Sequence, residues 1–287
     1  MSATQQPAPG GRSLSKSVAV GLLLGAIFLA SVLIYKEGFM ILAAAAAGAG
    51  AWELSTALRL KGWYVPRVPS VVGSVLIMPA AFYGGAQMQW LVALAIVAAL
   101  IIWRLVHLLW ERREAPMPAF RHTVRDFAAS AFVVIYLPLM TSFTILLLRE
   151  PNGAAWVITF VVTVSMIDTM GYLVGRKLGK HKLAPGVSPK KTWEGLVASI
   201  TAGIISSVVL TTTFFDFEWW AGLVLAGLLL LSAVFGDLAE SLIKRDLGVK
   251  DMSSLLPGHG GVMDRMDSIL PSALTTYLFM QFITTGK

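Results

Sequence analysis

The stretch WWAGLVLAGLLLLSAVFGD, Trp219–Asp237, decides the fold, because it carries no charged residue before its final aspartate. A helix needs about 20 predominantly apolar residues to cross the hydrocarbon core of a bilayer, and this stretch reaches that length. Inside lipid, the backbone N–H and C=O groups must form hydrogen bonds within their own segment. The stretch is therefore predicted to be a transmembrane helix.

Similar stretches recur along the chain, of which 56% is hydrophobic and only 14% is charged. They predict an all-α fold, a polytopic transmembrane helical bundle with about nine spans. Only Gln87–Gln89 separates the third span from the fourth. The predicted spans lie near Ser17–Tyr35, Phe39–Leu58, Ser70–Met88, Trp90–Leu109, Phe127–Leu148, Ala155–Val174, Gly195–Phe215, Trp219–Asp237 and Ser268–Thr284.

The positions of the cations predict the orientation of this bundle. With the N-terminus inside and the spans alternating, all but three of the 23 Lys and Arg residues fall on the inside. The exceptions are Lys36, Arg149 and Lys287. Because cytoplasmic loops of membrane proteins are enriched in Lys and Arg, we expect an N-in, C-out protein of the inner or plasma membrane. Loops 176–194 and 238–267 then both face the cytoplasm.

The sequence divides into three regions. Residues 1–16 are polar and rich in Pro and Gly, which is typical of a disordered cytoplasmic tail. The first span, Ser17–Tyr35, exceeds the core of a signal peptide and lacks a small-residue cleavage site, so we expect it to be retained. Residues 17–150 form an N-terminal transmembrane region, in which the small residues Ala43–Gly50 are compatible with a homodimer. Residues 151–287 form the C-terminal catalytic region.

The net charge of +7 does not indicate nucleic-acid binding in this chain. The cations lie in short loops between apolar spans, where they determine topology and contact anionic membrane lipid. The chain has no cysteine, which excludes disulfide bonds and thiolate metal sites. The expected partners are therefore membrane lipids and small phosphorylated molecules.

The densest polar stretch is GDLAESLIKRDLGVKDMSSLLPGHGGVMDRMD, residues 236–267. Asp264 and Asp267 are three residues apart, so they share one helix face. Between the acids, Gly260 and Gly261 permit a tight turn and a close approach of backbone N–H groups to an anion. A second helix face carries three further residues at spacings of four and three: Asp237, Ser241 and Lys244.

Carboxylates and cations in this pattern suit a phosphorylated substrate. Carboxylate oxygens bind Mg²⁺, which usually retains waters and substrate phosphates among its ligands. Lys and Arg side chains neutralise the remaining phosphate charge, and here they are Lys244, Arg245, Lys250 and Arg265. The alternative is a charged interfacial loop whose ions pair for structure and contact lipid head groups. The position of the acids at the ends of spans, where charges are costly, favours the functional interpretation.

Two segments carry a family resemblance. Ser241–Asp267 resembles the signature of the phosphatidate cytidylyltransferases, the CDP-diacylglycerol synthases, over 27 positions. The matching residues are Ser241, Lys244-Arg245, Lys250-Asp251, Pro257, His259-Gly260-Gly261, Asp264-Arg265 and Asp267. Upstream, the segment SPKKTWEG, Ser188–Gly195, is similar to the second hallmark of the family, and it follows Asp168-Thr169, Gly175-Arg176 and Gly179-Lys180.

The resemblance implies a reaction and a set of roles. CTP and phosphatidate would give CDP-diacylglycerol and pyrophosphate. Asp237 and Asp264 would hold Mg²⁺, while Asp267 or Asp168 would support it or place a second cation such as K⁺. Lys244, as a further catalytic residue, would clamp phosphates. The implied substrate-binding residues are Ser188, Lys190, Lys191, Thr192, Ser241, Arg245, Lys250, His259, Gly260, Gly261, Arg265 and Asp168.

Several residues have more than one interpretation. Asp168 lies inside an apolar span, where an acid is functional by default. We assign His259 to binding or loop structure, because a phosphate nucleophile is already anionic and needs no general base. Glu194 is either a helix-start acid favoured by the dipole or part of the site. Lys182 and the Arg112-Arg113 loop are attributed to topology and lipid contact.

Two other functions are kept as alternatives. A CTP-dependent polyprenol or phytol kinase would transfer the γ-phosphoryl group to an alcohol and leave CDP. That chemistry would make a general base at His259 or Asp267 more useful. An ion-coupled transporter would use Asp168 as an ion site, but transporters place such acids near the midplane and often contain repeats.

Overall fold

A computed structural model of the chain describes residues 14–111, 120–184, 188–253, 255 and 260–285. Across these residues the fold is a bundle of helices with one small two-stranded sheet, so the all-α prediction is confirmed apart from that sheet. The helices are α1 Leu14–Ile34, α2 Lys36–Leu60, α3 Arg67–Glu111, α4 Phe120–Val134, α5 Met140–Arg149, α6 Gly153–Leu178, α7 Trp193–Phe215, α8 Trp219–Leu247 and α9 Ile269–Thr285.

The helices have the lengths of a multi-pass membrane protein. Within the described ranges, six helical segments are long and apolar enough to cross a bilayer. They are Lys36–Leu60, Arg67–Trp110, Arg121–Arg149, Gly153–Leu178, Trp193–Phe215 and Trp219–Leu247. Gly25–Ile34 and Ile269–Thr284 are shorter apolar helices. The count of nine crossings and the N-in orientation stay predictions.

Helix α3 is broken at Gly85, close to the predicted boundary between spans three and four. Gly85 has φ 69° and ψ −163°, a conformation that residues with a Cβ rarely adopt. Two helical halves meet there, and they divide the 45 residues of α3 into lengths that each suit one span. The sequence therefore located this break to within a few residues of Gln87–Gln89.

Helix α4 continues into α5 through a π-helical turn, Ile135–Leu139. The turn contains Pro138, whose missing N–H cannot take part in the regular α-helical ladder. Such turns inside helices occur frequently at functional sites. In this chain the turn carries Tyr136, whose side chain interacts electrostatically with Glu240 of α8 and with Asp267.

The small residues of α2 are packed inside the protomer. Ala47 and Gly48 are buried, and a side chain at Gly48 would lie 3.3 Å from Val75 of α3. Gly50 is equally close to Leu137 in the π-helical turn, at 3.2 Å. Because α3 and the turn cover this surface, the predicted homodimer gains no support from these residues and stays a prediction.

The sheet is an antiparallel hairpin between α6 and α7. Strand β1, Lys182–Ala184, pairs with β2, Ser188–Thr192, with Lys182 opposite Thr192. The hairpin leads directly into α7, whose first turn is capped by the Thr192 hydroxyl accepting from Gly195 N at 3.2 Å. The strands therefore place the second resembling segment at the end of α6 and the start of α7.

The loop between α8 and α9 packs against the N-terminal helices. Met252 and Met263 of this loop join one buried apolar cluster with Leu54 of α2, Val65 and Val133 of α4. A larger apolar cluster fills the rest of the bundle. Both halves of the chain therefore contribute to the surroundings of the polar loop.

Candidate active site

Helix α8 supplies the first side of the candidate site. Asp237, Ser241 and Lys244 lie on neighbouring turns, as their spacing predicted. The same face carries Glu240, which the sequence interpretation missed and which is only 1% exposed. The last turns of this apolar helix therefore concentrate two acids, a hydroxyl and an ammonium group.

Asp264 is buried beside α8 and is bonded on both oxygens. Its Oδ1 accepts from Lys244 Nζ at 3.1 Å, and its Oδ2 accepts from Gly261 N at 2.8 Å and Met252 N at 3.0 Å. Burial raises the pKa of Asp264, but the Glu240 carboxyl group and then the N–H groups of Gly261 and Met252 and the Lys244 ammonium group outweigh burial and leave the pKa below its ordinary value. Asp264 is therefore an ionised carboxylate that also shapes its own loop.

Glu240 lies between Lys244 and two further acids. Its Oε1 is 3.3 Å from Lys244 Nζ, and its carboxyl group interacts with those of Asp264 and Asp267. Within the described part of the chain, neither of its oxygens has a hydrogen-bond partner. Carboxyl groups gathered in this way repel one another unless a proton or a cation lies among them.

Lys191, in the upstream resembling segment, contacts Asp237, which lies one helix turn before the other segment begins at Ser241. Lys191 of β2 places its Nζ 2.5 Å from Asp237 Oδ2 of α8. Both side chains are about one-third exposed, at 34% and 38%. The structure thus brings loops 176–194 and 238–267 together, as the sequence predicted.

Asp168 and Asp267 border the same region. Asp168 of α6 bonds to the Ser268 side chain and interacts electrostatically with Asp267, Asp237 and Lys191. Asp267 in turn accepts from Ser268 N at 2.7 Å. Lys191 therefore lies near an acid from α6 and an acid from α8, and Asp267, which precedes α9, lies near the first of these acids.

The remaining predicted residues occupy different settings. Thr192 is buried as the cap of α7, while Ser241 is half-buried on α8. Gly260 and Gly261 lie in the α8–α9 loop, where Gly261 donates to Asp264. The exposed cations around this loop are Arg245, Lys250 and Arg265.

Three predicted residues lack a described side chain. Ser188 and Lys190 belong to β2, but their side chains lie outside what the structure describes. His259 lies outside the described residues altogether. Glu194, whose role was open, starts α7 and accepts from His181 Nδ1 at 2.7 Å, which supports the helix-start interpretation.

Sequence reasoning missed two residues of the N-terminal half. Glu53 of α2 is buried and accepts hydrogen bonds from Ser253 Oγ and from the backbone of the α8–α9 loop. The sequence could have indicated Glu53, because an acid inside an apolar span is functional by default. The same rule identified Asp168. Tyr136 carried no such signal, since its position depends on the π-helical turn.

An apolar groove runs between α6 and α7. Its volume is about 590 Å³, and its lining includes Met166 and Met170 of α6 and Ala198 and Ile205 of α7. The lining residues Met166 and Met170 are four residues apart and share one face of α6, whereas Asp168 is two residues from each and lies on the opposite face. The groove is therefore on a different side of α6 from Asp168, and its walls suit hydrocarbon.

Acidic oxygens of this site are the ligands that Mg²⁺ prefers. In the part of the chain that the structure describes, no three acid or histidine side chains are arranged to hold a metal ion by themselves. Mg²⁺ commonly binds through one or two carboxylates together with waters and substrate phosphates. The buried Glu240 carboxyl group lies among the Lys244 ammonium group and the Asp264 and Asp267 carboxyl groups, so this cluster offers oxygen ligands beside an existing ion pair.

Comparison with known proteins identifies the family to which this chain is similar. Residues 15–283 match the model of the family described as the cytidylyltransferase family. The chain is similar to a protein of Mycobacterium bovis named phosphatidate cytidylyltransferase, with 35% identity covering 98% of this chain and 94% of that protein. A protein of the same name from Mycobacterium leprae is also 35% identical, over 98% of this chain and 91% of the relative.

A more distant group matches only part of the chain. The protein of Brucella abortus with that name is 41% identical over 130 residues, which is 45% of this chain and 48% of the relative. The mycobacterial similarity covers nearly both whole chains, so it includes the N-terminal helices as well as the two resembling segments.

Proposed function

This chain belongs to the cytidylyltransferase family, and on that premise we propose that it is a phosphatidate cytidylyltransferase. The enzyme converts CTP and phosphatidate into CDP-diacylglycerol and pyrophosphate. The observation that carries the proposal is the contact between Lys191 and Asp237, which brings the upstream resembling segment to the helix turn that leads into Ser241–Asp267. Mixed carboxylates and ammonium groups at one helix end suit nucleotidyl transfer, in which electrostatics and positioning dominate.

The reaction is a single displacement at phosphorus. An oxygen of the phosphatidate phosphate attacks the α-phosphorus of CTP and forms a new P–O bond. The bond from that phosphorus to the bridging oxygen of the β-phosphate breaks, and pyrophosphate leaves with the electron pair. The attacking oxygen is already anionic, so the step requires no general base.

Lys191 and Lys244 are suited to hold the phosphates during this step. Each ammonium group has three donors, so a lysine bonded to a carboxylate retains donors for a phosphate. Asp237 fixes the position of Lys191, while Asp264 and Glu240 fix that of Lys244. Lys190, Arg245, Lys250 and Arg265 add positive charge around the nucleotide.

Asp237 and Asp264 would hold Mg²⁺, with the Glu240 carboxyl group beside them. The ion would neutralise charge on the phosphates and on the departing pyrophosphate. Asp267 and Asp168 would support it or accept a second cation such as K⁺. The oxygen donors of the site and the buried Glu240 carboxyl group support this assignment.

The apolar groove between α6 and α7 would receive an acyl chain of phosphatidate. Its walls are almost entirely apolar, and it runs along α7, which follows directly after the strand that carries Lys191, so a lipid tail bound there would stay in the membrane. The Ala198→Phe substitution places a ring in the groove and is expected to raise the KM for long-chain phosphatidate about fivefold, which corresponds to the loss of roughly one buried methylene group. The KM for CTP should not change.

Val197→Phe is the matched control. Val197 is 59% exposed, immediately precedes Ala198 on α7 and does not line the groove. Both variants are assayed with long-chain and dioctanoyl phosphatidate in detergent micelles. Equal KM values for A198F, V197F and the unsubstituted protein would remove the groove from the lipid site.

The site is proposed to face the cytoplasm in the inner or plasma membrane, where CTP is available. The excess of Lys and Arg in the two converging loops supports this orientation. A homodimer remains compatible with this arrangement.

A nucleotide screen tests the proposed function directly. The purified protein is incubated with radiolabelled phosphatidate, Mg²⁺ and each of the four nucleoside triphosphates. We expect CDP-diacylglycerol and pyrophosphate from CTP alone. A folded protein that releases no pyrophosphate overturns the proposal, and formation of CDP with a phosphorylated polyprenol in a parallel assay identifies a kinase.

A further inference from the structure

Glu53 of α2 is a buried acid that the proposed chemistry does not use. It is 3% exposed and lies within a long apolar helix, where an ionisable group is costly unless it is bonded. Three donors meet it: Ser253 Oγ at 2.5 Å, Val262 N at 3.0 Å and Met263 N at 2.9 Å. All three belong to the α8–α9 loop, some 200 residues further along the chain.

Resting on the proposed function, we propose that Glu53 is a positioning residue that fixes the α8–α9 loop against α2 and thereby holds Asp264 beside Lys244. The backbone N–H groups of Val262 and Met263 immediately precede Asp264 in the chain. A carboxylate that binds both of them sets the position and direction of the short 3₁₀ turn Met263–Arg265, to which Asp264 belongs.

Asp264 supplies a second anchor to the same loop. It accepts from Met252 N and Gly261 N, while Glu53 accepts from the adjacent residues Ser253 and Val262. Each carboxylate therefore ties the beginning of the loop to its end. Together they close the loop at its base, and one anchor comes from each half of the chain.

The three hydrogen bonds to the α8–α9 loop require a carboxylate at position 53, on a side chain as long as that of Glu. A carboxylate only accepts hydrogen bonds, and here all three partners are donors. A Gln at this position would present its NH₂ group to at least one N–H group, which leaves that donor unbonded. Gly261 permits the close approach, because a Cβ on it would lie 2.7 Å from Glu53 Oε2.

Hydrogen exchange of the full-length protein in detergent tests this positioning without relying on activity. In E53Q, the amides of the loop segment 252–265 are expected to exchange at least about tenfold faster, since charge-assisted hydrogen bonds are lost. Glu37→Gln, in the first turn of the same helix, is the matched control and should exchange like the unsubstituted protein.

Kinetics provide the readout that a purely structural role would not change. E53Q is expected to raise the Mg²⁺ concentration for half-maximal rate and the KM for CTP by about tenfold, because the position of Asp264 is no longer fixed. E53D, which keeps the charge on a shorter side chain, should lie between E53Q and the unsubstituted protein. Loss of folded protein alone would lower the rate at saturation and leave both constants unchanged.

The outcomes separate this inference from the proposed function. Loop exchange in E53Q equal to that of the unsubstituted protein overturns the positioning role, as do unchanged Mg²⁺ and CTP constants. If the unsubstituted protein makes no CDP-diacylglycerol, the proposed function fails, while the exchange result still decides the role of Glu53. Should E53Q fail to fold, Ser253→Ala removes one donor only, and unaltered loop exchange in that variant overturns the inference.

Discussion

Two segments meet at the end of α8, and they are held in opposite ways. The α8–α9 loop is fixed by Glu53 and Asp264, two buried carboxylates with three hydrogen bonds each. The β1–β2 hairpin contacts α8 through Lys191 and Asp237, whose side chains are 34% and 38% exposed. Breaking a buried, bonded charge pair costs several kcal/mol, whereas exposed pairs contribute about 0–1 kcal/mol. We therefore call the α8–α9 loop the rigid wall of the site. We call the β1–β2 hairpin its adjustable wall, because its exposed ion pair with α8 costs little to break when a nucleotide binds.

Asp264→Asn is expected to have the largest effect, because it breaks the rigid wall. The substitution removes one of the two carboxylates that Lys244 contacts, and it turns an amide NH₂ group toward either Lys244 or the N–H groups of Met252 and Gly261. Removing one partner of a buried charge pair costs about 3 kcal/mol. Turnover should fall at least about 1,000-fold, because a proposed metal ligand and an anchor are lost together. Thermal unfolding in detergent and the rate of CDP-diacylglycerol formation measure the two effects.

Asp246→Asn is the control for this variant, since Asp246 is exposed near the end of the same helix α8. It should retain the stability and the rate of the unsubstituted protein. If the Asp264→Asn protein kept its unfolding temperature, the α8–α9 loop would not need the Asp264 hydrogen bonds for its stability, even if activity were lost.

Asp237→Asn separates chemistry from stability at the adjustable wall. The substitution removes a partly exposed ion pair, so the free energy of unfolding should change by less than about 1 kcal/mol. Turnover should nevertheless fall by about 100-fold or more, because Asp237 is a proposed Mg²⁺ ligand. Asp237→Asn should therefore lower turnover with little loss of stability, whereas Asp264→Asn should lower both.

Glu218→Gln, an exposed acid just before α8, serves as the control for Asp237→Asn. Stability and the Mg²⁺ dependence of the rate are measured in parallel. A rate within about twofold of the unsubstituted protein would remove Asp237 from the metal role.

The features of the site that could be predicted from the sequence are those that depend on residues close together in the chain. Helix positions follow from hydropathy and from the need of backbone N–H and C=O groups for hydrogen bonds within a segment, so the apolar helices and the break near Gly85 were predictable. The grouping of Asp237 with Lys244 was predictable from their spacing on one helix face, and that of Lys244 with Asp264 from a segment that resembles a family signature. These features depend on residues that are close together in sequence.

Residues that join distant segments were not predictable in the same way. The contact between Glu53 and the α8–α9 loop spans about 200 residues, and only the tertiary packing of α2 creates it. Glu240 was overlooked although it lies three residues after Asp237 and four before Lys244 on α8, a spacing that already placed it on their helix face. The small residues of α2 suggested an oligomer surface, but α3 covers them, since intramolecular packing uses the same small side chains.

Lys191→Gln is expected to have the smallest effect, and it tests whether the hairpin is the adjustable wall. The unfolding temperature should remain unchanged, because an exposed pair contributes little. The KM for CTP should rise about tenfold, since one charge-assisted contact to a phosphate is lost, while kcat should change less. Initial rates over a range of CTP concentrations measure both constants.

Lys182→Gln is the matched control, because Lys182 is exposed on the neighbouring strand of the same hairpin. It removes an identical charge from the loop but has no contact with Asp237 among the described ion pairs. An equal increase in KM for both variants would mean that the hairpin acts through its overall positive charge. A large loss of stability in Lys191→Gln alone would mean that the hairpin is as firmly held as the α8–α9 loop, and the distinction between the two walls would then be wrong.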